Sequence, residues 1–346
     1  MESTILLEAI RVLGLALLGF FSALVITPLI TPLLLKKQMR TSADAPIYAK
    51  LHAHKTDTPT MGGVIIWLTV LGLAGLFWGL SLLFGGWFDF LNFVDRGQTY
   101  LPIASMLIAA FLGATDDLLG AYQIGPKGGG LSITQKLVAY FLVALIGALW
   151  FYYRLDWDVL NVPFWGRVVI GWWYVPLFIF IIVSSAHSAN ITDGLDGLLG
   201  GVLLFAFLAL TAVAFAIGRY DLATFSGVVA GALLAFLWFN IYPARFIMGD
   251  TGSMALGITM GVIAMLTNTT LLLPFFAVIL VVETLSVIAQ TLSKKFRGRK
   301  IFLSTPIHHH FEALGWPEAK VTMRFWIISA VFTALGLAIF FLGRFF

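Results

Sequence analysis

Acids, amides and histidines recur along this chain in short groups placed at the ends of long apolar runs. Asp116 and Asp117 are adjacent; Asn190, Asp193 and Asp196 stand three apart within Asn-Ile-Thr-Asp-Gly-Leu-Asp-Gly. Asn240 follows, Asp250 lies inside Gly-Asp-Thr-Gly-Ser, and His308, His309 and His310 are consecutive. Neighbouring helical residues project about 100° apart, so Asp116 and Asp117 are expected to do different work, one touching a metal or a lysine and the other facing a lipid headgroup. Asn190, Asp193 and Asp196 share a face if their segment is helical, whereas Gly194 and Gly197 would allow a tight turn with exposed amides. Either geometry converges polar groups on a nucleotide base or a phosphate. Asp250 precedes an apolar run, where a helix start offers free amides and a favourable dipole to an anion, and where one carboxylate plus phosphate oxygens can hold Mg²⁺. Three consecutive histidines converge poorly on one tetrahedral metal and suit phosphates and sugar hydroxyls better. Lys55, beside His54, is placed to neutralise a diphosphate. The plainer alternatives are interfacial charges, helix caps and turn residues.

The elements that must position these groups are membrane spans. With 60% hydrophobic and 11% charged residues, the chain falls far from an ordinary soluble domain, which carries about 25% charged residues. Runs long enough to cross a bilayer, roughly 20 apolar residues each, lie near 12–35, 58–88, 97–115, 137–153, 168–186, 197–218, 222–244 and 325–343. The run 251–282 is too long for one span. Its polar break at Thr267–Thr270 and Pro274 implies two helices, the second continuing past Glu283 to about Leu292. The fold class is therefore an all-α polytopic membrane protein of about ten spans, expected to form one domain over 1–346. The first run follows Glu2 and Glu8 rather than a basic cluster and is read as a span, not a cleaved leader.

Charge sets the orientation. Alternating the loops between two sides places fifteen of the 21 Lys and Arg on one side and six (Arg11, Arg96, Arg154, Arg167, Arg219 and Arg344) on the other. The basic-rich side should be cytoplasmic, which puts both termini outside and every group named above at the cytosolic face. The absence of cysteine excludes disulfides and thiolate metal sites. An ion-coupled transporter would want acids at the bilayer midplane and, often, inverted repeats; here nearly all lie at one rim and no repeat is evident. Glu283, inside an apolar run, receives no role.

These segments resemble a known family. Thr58-Pro-Thr60-Met-Gly-Gly63, Asp116-Asp117, Asn190 through Gly197, Met248 through Ser253 and Thr305-Pro-Ile-His-His-His-Phe-Glu312, extended by Gly315-Trp316 and Arg324-Phe-Trp326, are similar to the phospho-N-acetylmuramoyl-pentapeptide transferases. These belong to the polyprenyl-phosphate N-acetylhexosamine-1-phosphate transferase superfamily. The His308–Glu312 segment resembles the muramoyl branch rather than its N-acetylglucosamine relatives. The resemblance implies transfer of phospho-N-acetylmuramoyl-pentapeptide from its UDP-linked donor to undecaprenyl phosphate, giving lipid I and UMP, with Mg²⁺. The setting would be a bacterial inner membrane, with membrane lipid and a homodimeric second copy among the expected partners and no nucleic acid. It implies Asp116, Asp117, Asp250 and His308 as catalytic, with Asp250 the metal ligand. Gly194, Leu195 and Asp196 would cradle the uracil near Lys55; Thr60, Asn190, Asp193, Asn240, His309 and His310 would line the rest, with Phe246 or Ile247 packing on the base. The chain departs from the family at Gly120, where a lysine is usual, and at Ile247, where phenylalanine is usual. Attack by the lipid phosphate itself and a route through an aspartyl phospho-sugar both remain open.

Overall fold

The computed structural model describes residues 2–34, 58–126 and 129–344; the Lys55 expectation lies outside them. The described chain is mostly helical: α1 (Glu2–Ile30), α2 (Val64–Phe84), the short α3 (Trp87–Leu91), α4 (Tyr100–Ala121), α5 (Ile133–Arg154), α6 (Tyr174–Thr192), α7 (Leu198–Ala216), α8 (Tyr220–Asn240), α9 (Gly249–Leu266), the single turn α10 (Leu273–Phe276), α11 (Val278–Arg297), α12 (Ile307–Ala313) and α13 (Glu318–Leu342). Among the described residues nine helices are long and apolar enough to cross a membrane, and ten if the bent pair 270–276 and 278–297 is one span.

That pair corrects the sequence reading in detail. The break at Thr267–Thr270 is present, but the following segment turns by 87° between α10 and α11 instead of running straight. Two further differences bear on function. α4 continues past residue 115 to Ala121, so Asp116 and Asp117 lie within the helix and are buried rather than ending it at a lipid surface. An antiparallel hairpin, β1 (Val159–Val162) with β2 (Gly166–Val169), lies between α5 and α6 and takes the first residues of the run expected at 168–186. Asn268 pins it: its side chain accepts from Asn161 N–H at 2.9 Å and donates to Val159 C=O at 3.0 Å.

α9 is the centre of the molecule and is almost wholly buried. α4 packs along one side of it and α6 along another, while α8 packs against α1 and α7. Glycine makes the two α9 contacts close. A methyl on Gly113 of α4 would overlap the Asp250–Thr251 backbone, and one on Gly257 of α9 would stand 2.7 Å from Ser185 C=O of α6. In lipid, where apolar side chains gain little by leaving solvent, such small-residue contacts and the packing they permit hold helices together. Consequently the last turns of α4 and α6 and the first turn of α9 meet at one end.

At the other end Arg11 of α1 forms ion pairs with Glu8, at 3.0 Å, and with Asp221 at the start of α8. Arg344, past α13, donates to Ala216 C=O at 2.7 Å. Arg11 and Arg344 thus both lie by the α7–α8 turn, on the hairpin face and away from the acids.

Candidate active site

Ser132 opens α5 with a reciprocal capping box. Its hydroxyl accepts from Gln135 N–H at 3.3 Å, and the Gln135 side chain accepts from Ser132 N–H at 2.8 Å. Two orphan amides are thereby satisfied, and Lys136 falls in the first turn. Its ammonium lies 2.8 Å from Asp116 Oδ2 and also contacts Asp250 Oδ2. The other oxygen of Asp250 accepts from the Asn190 amide, which also lies 3.3 Å from the Ser253 hydroxyl. Asp116 further accepts from Leu131 N–H. Two carboxylates from different helices therefore share one cation, with only 17% of the lysine side chain exposed. Residue type alone does not set Lys136 apart from the other basic residues beside the spans. The signal that could have found it is the Ser-x-x-Gln box, which fixes where α5 begins.

Asp117 faces elsewhere, as the adjacent-residue geometry requires. Its Oδ2 accepts from Thr251 N–H at 2.9 Å and Thr251 Oγ1 at 2.8 Å, with Thr60 Oγ1 at 3.5 Å from Oδ1. It is fully buried. Thr60 is carried in by backbone pairing: Ile247 N–H donates to Pro59 C=O at 2.8 Å, and Gly62 and Gly63 N–H donate to Ile247 and Met248 C=O at 2.9 Å. Gly249 has φ of +74°, and a side chain there would press on Asp117 and Thr60. Asp193 Oδ2 accepts from Gly249 N–H at 2.9 Å.

The Asn190–Gly197 segment takes the turn alternative after Thr192. α6 ends at Thr192, and Gly197, with φ of +72°, starts α7. One face of α13 holds this turn. Glu318 accepts from Asp196 N–H at 2.6 Å, Thr322 donates to Asp196 C=O at 3.2 Å, and Trp326 Nε1 donates to Gly197 C=O at 3.1 Å. The spacing of four puts these three side chains in one column. Asp196 Oδ2 accepts from Ala244 N–H at 3.0 Å, and Asn240 bridges Gly197 N–H, at 3.1 Å, to Phe246 C=O, at 2.7 Å. Leu195 is buried, and Gly194 lies so close to the His308 ring that a methyl would overlap it.

The histidines form no solvated loop but the short α12. His308 is fully buried with Nδ1 3.0 Å from Glu283 Oε2, also fully buried; this is ion-pair distance without hydrogen-bond alignment. Glu283 thus acquires a neighbour the sequence did not suggest. His309 Nδ1 lies 2.7 Å from Glu312, and His310 Nδ1 accepts from Leu303 N–H at 3.2 Å. The Phe246 expectation needs correction: its ring is fully enclosed, with centroids 5.5 Å from Phe236 and 6.2 Å from Phe239. No face is left for a base in this conformation, while Ile247 beside it is half-buried. Among the described residues no three His, Cys, Asp or Glu side chains converge as a metal cluster, an arrangement Mg²⁺ does not require.

Comparison with known proteins decides the family. Over 327 residues, 93% of this chain and 95% of the relative, it is 38% identical to a phospho-N-acetylmuramoyl-pentapeptide-transferase of Anoxybacillus flavithermus. The chain belongs to the phospho-N-acetylmuramoyl-pentapeptide-transferase family. A Geobacillus sp. WCH70 relative of the same name is 36% identical over 96% of this chain and 99% of its own length. One from Chloroflexus aurantiacus is 40% identical over 83% and 78%. The Glycosyl transferase family 4 profile matches residues 99–268, which include Asp116, Asp117, Lys136, Asn190, Asp193, Asp196 and Asp250. The chain is a multi-pass membrane protein and a phosphoglycosyl transferase.

Proposed function

We propose that this chain transfers phospho-N-acetylmuramoyl-pentapeptide from UDP to undecaprenyl phosphate, yielding lipid I and UMP for peptidoglycan, at the cytoplasmic face of a bacterial inner membrane. Family membership supports the reaction class. In the site, the observation that carries the reading is the Lys136 ammonium shared by Asp116 and Asp250. An anionic diphosphate needs such a cation, and in this reading the helix ends around it would be where a lipid phosphate meets a soluble nucleotide. The acceptor's tail would stay in lipid. The fifteen-to-six distribution of basic residues supports a cytosolic site with both termini outside.

Phosphoryl transfer depends mostly on positioning and charge neutralisation. An oxygen of the lipid phosphate attacks the donor phosphorus that bears the sugar. The bond from that phosphorus to the bridging oxygen breaks, and the oxygen leaves on UMP. Lys136 would neutralise the diphosphate, Asp116 would orient the acceptor phosphate or take its proton, and Asn190 would fix Asp250. Asp117, through Thr251, holds the start of α9 against α4. Direct attack leaves both carboxylates with these partners, which favours it over an aspartyl intermediate.

Mg²⁺ fits the donor set, because two carboxylates already flank one cation and Mg²⁺ commonly takes one or two carboxylates with phosphate oxygens. Asp250, assisted by Asp116, would hold it, and its charge would stabilise the UMP leaving group. Purified protein given radiolabelled UDP-N-acetylmuramoyl-pentapeptide and undecaprenyl phosphate should form UMP and a lipid-linked product. Turnover of UDP-N-acetylglucosamine in place of that donor would overturn the donor assignment.

A further inference from the structure

The six arginines on the hairpin face divide unevenly. Arg11 is ion-paired with Glu8 and Asp221; the other five line two hollows that meet at Leu155. The larger, about 980 Å³, is mostly apolar and runs between α2, the start of α4 and the end of α5. Trp78, Leu107 and Trp150 line it and are each about half exposed, as is Tyr100 at its rim. Such aromatic side chains mark the level of lipid headgroups. Arg96 and Arg154 stand at this groove, both exposed.

Neither arginine has a carboxylate within ion-pair distance among the described residues, and Arg154 only lies over the Trp150 ring at 5.9 Å. The acid nearest in sequence is occupied: Asp95 Oδ2 accepts from Gly97 N–H at 2.7 Å. The same turn is braced by Thr99, which donates to Phe93 C=O at 2.8 Å and accepts from Asp95 N–H at 2.7 Å. Arg96 is therefore presented by an ordered turn beside an apolar channel. Past Leu155 the second hollow, about 670 Å³, adds Arg167, Arg219 and Arg344 against Asp156 and Asp158, so positive charge remains in excess there too.

We propose that this groove binds an anionic phospholipid, acyl chains along Leu107 and Trp78 and the phosphate between Arg96 and Arg154. Guanidinium groups pair with phosphate through two parallel N–H donors, and an apolar channel opening at the aromatic level suits a diacyl tail better than a soluble anion. The site is on the face opposite Asp116 and Asp250 and does not depend on the proposed reaction.

The test is native mass spectrometry of the purified protein in neutral detergent, with phosphatidylglycerol or phosphatidylcholine of identical acyl chains. The wild type should retain phosphatidylglycerol preferentially, and Arg96→Gln/Arg154→Gln should lose roughly tenfold or more of that preference, given the attraction of each basic group near an anionic surface. Leu107→Trp, which fills the channel but keeps both charges, should lower retention of both lipids. An unchanged preference in the double variant, or equal retention of the two headgroups by the wild type, overturns the proposal. Displacement of bound lipid by millimolar glycerol 3-phosphate would also overturn it, by showing a soluble-anion site. Elution as a single monodisperse species and unchanged donor turnover would show that the variants are folded.

Discussion

Lys136 Nζ and Asp116 Oδ2 are 2.8 Å apart, joining the first turn of α5 to the last turns of α4. The same ammonium reaches Asp250 on α9, so one side chain ties three helices and holds two carboxylates that would otherwise repel. Lys136→Met removes the charge while keeping much of the stem. Turnover should fall about 100-fold or more, the scale seen when a donor to developing charge is removed. UMP release at saturating substrates checks this. Near-normal release would show that the lysine only balances charge.

Asp250→Asn keeps the shape and one acceptor next to Asn190 but discards the charge that faces Lys136. The fold should survive and turnover should drop by orders of magnitude, each ~1.4 kcal/mol of lost transition-state stabilisation being tenfold. Magnesium dependence measured at saturating donor and acceptor separates two roles. An unaltered requirement would move the metal to Asp116 or Asp117.

Gly113→Ala adds a methyl that overlaps the Asp250–Thr251 backbone. Overpacking of this kind costs about 1–3 kcal/mol, and relieving it means parting α4 from α9, hence Asp117 from Thr251. Lower thermal stability and lower turnover should appear together. A variant as stable and active as wild type would mean that the helix contact is looser than the geometry states.

The α13 column should act on donor binding rather than chemistry. Glu318→Ala and Thr322→Val each delete a hydrogen bond to Asp196, worth about 1 kcal/mol. The donor KM should rise several-fold with kcat nearly unchanged. Equal losses in kcat would place the 193–197 turn in the chemical step.

Orientation has its own test, made clean by a chain without cysteine. Ser132→Cys, near the acids, should be shielded from an impermeant thiol reagent in spheroplasts. Trp165→Cys, in the hairpin turn and 85% exposed for tryptophan, should label. The reverse pattern would invert the topology and place the acids outside.

Composition and run length determined by themselves that this chain crosses a membrane about ten times, because the cost of exposing backbone and charge to lipid leaves few alternatives. The motif order also carried the family, and residue types alone singled out Asp116, Asp117, Asn190 and Asp250. What they could not convey was partnership. Asp116 and Asp117 differ by one position, yet one faces Lys136 and the other Thr251, a division that depends on how α4 rotates against α9 and on Gly113 letting it approach. Lys136 looked like any basic residue beside a span. Phe246 looked available to a base, but packing between Phe236 and Phe239 encloses it. The 87° bend between α10 and α11 and the meeting of His308 with Glu283 are likewise set by contacts between segments far apart in the chain. Local hydrophobicity specifies the spans; only tertiary packing decides which polar side chains share an enclosed space.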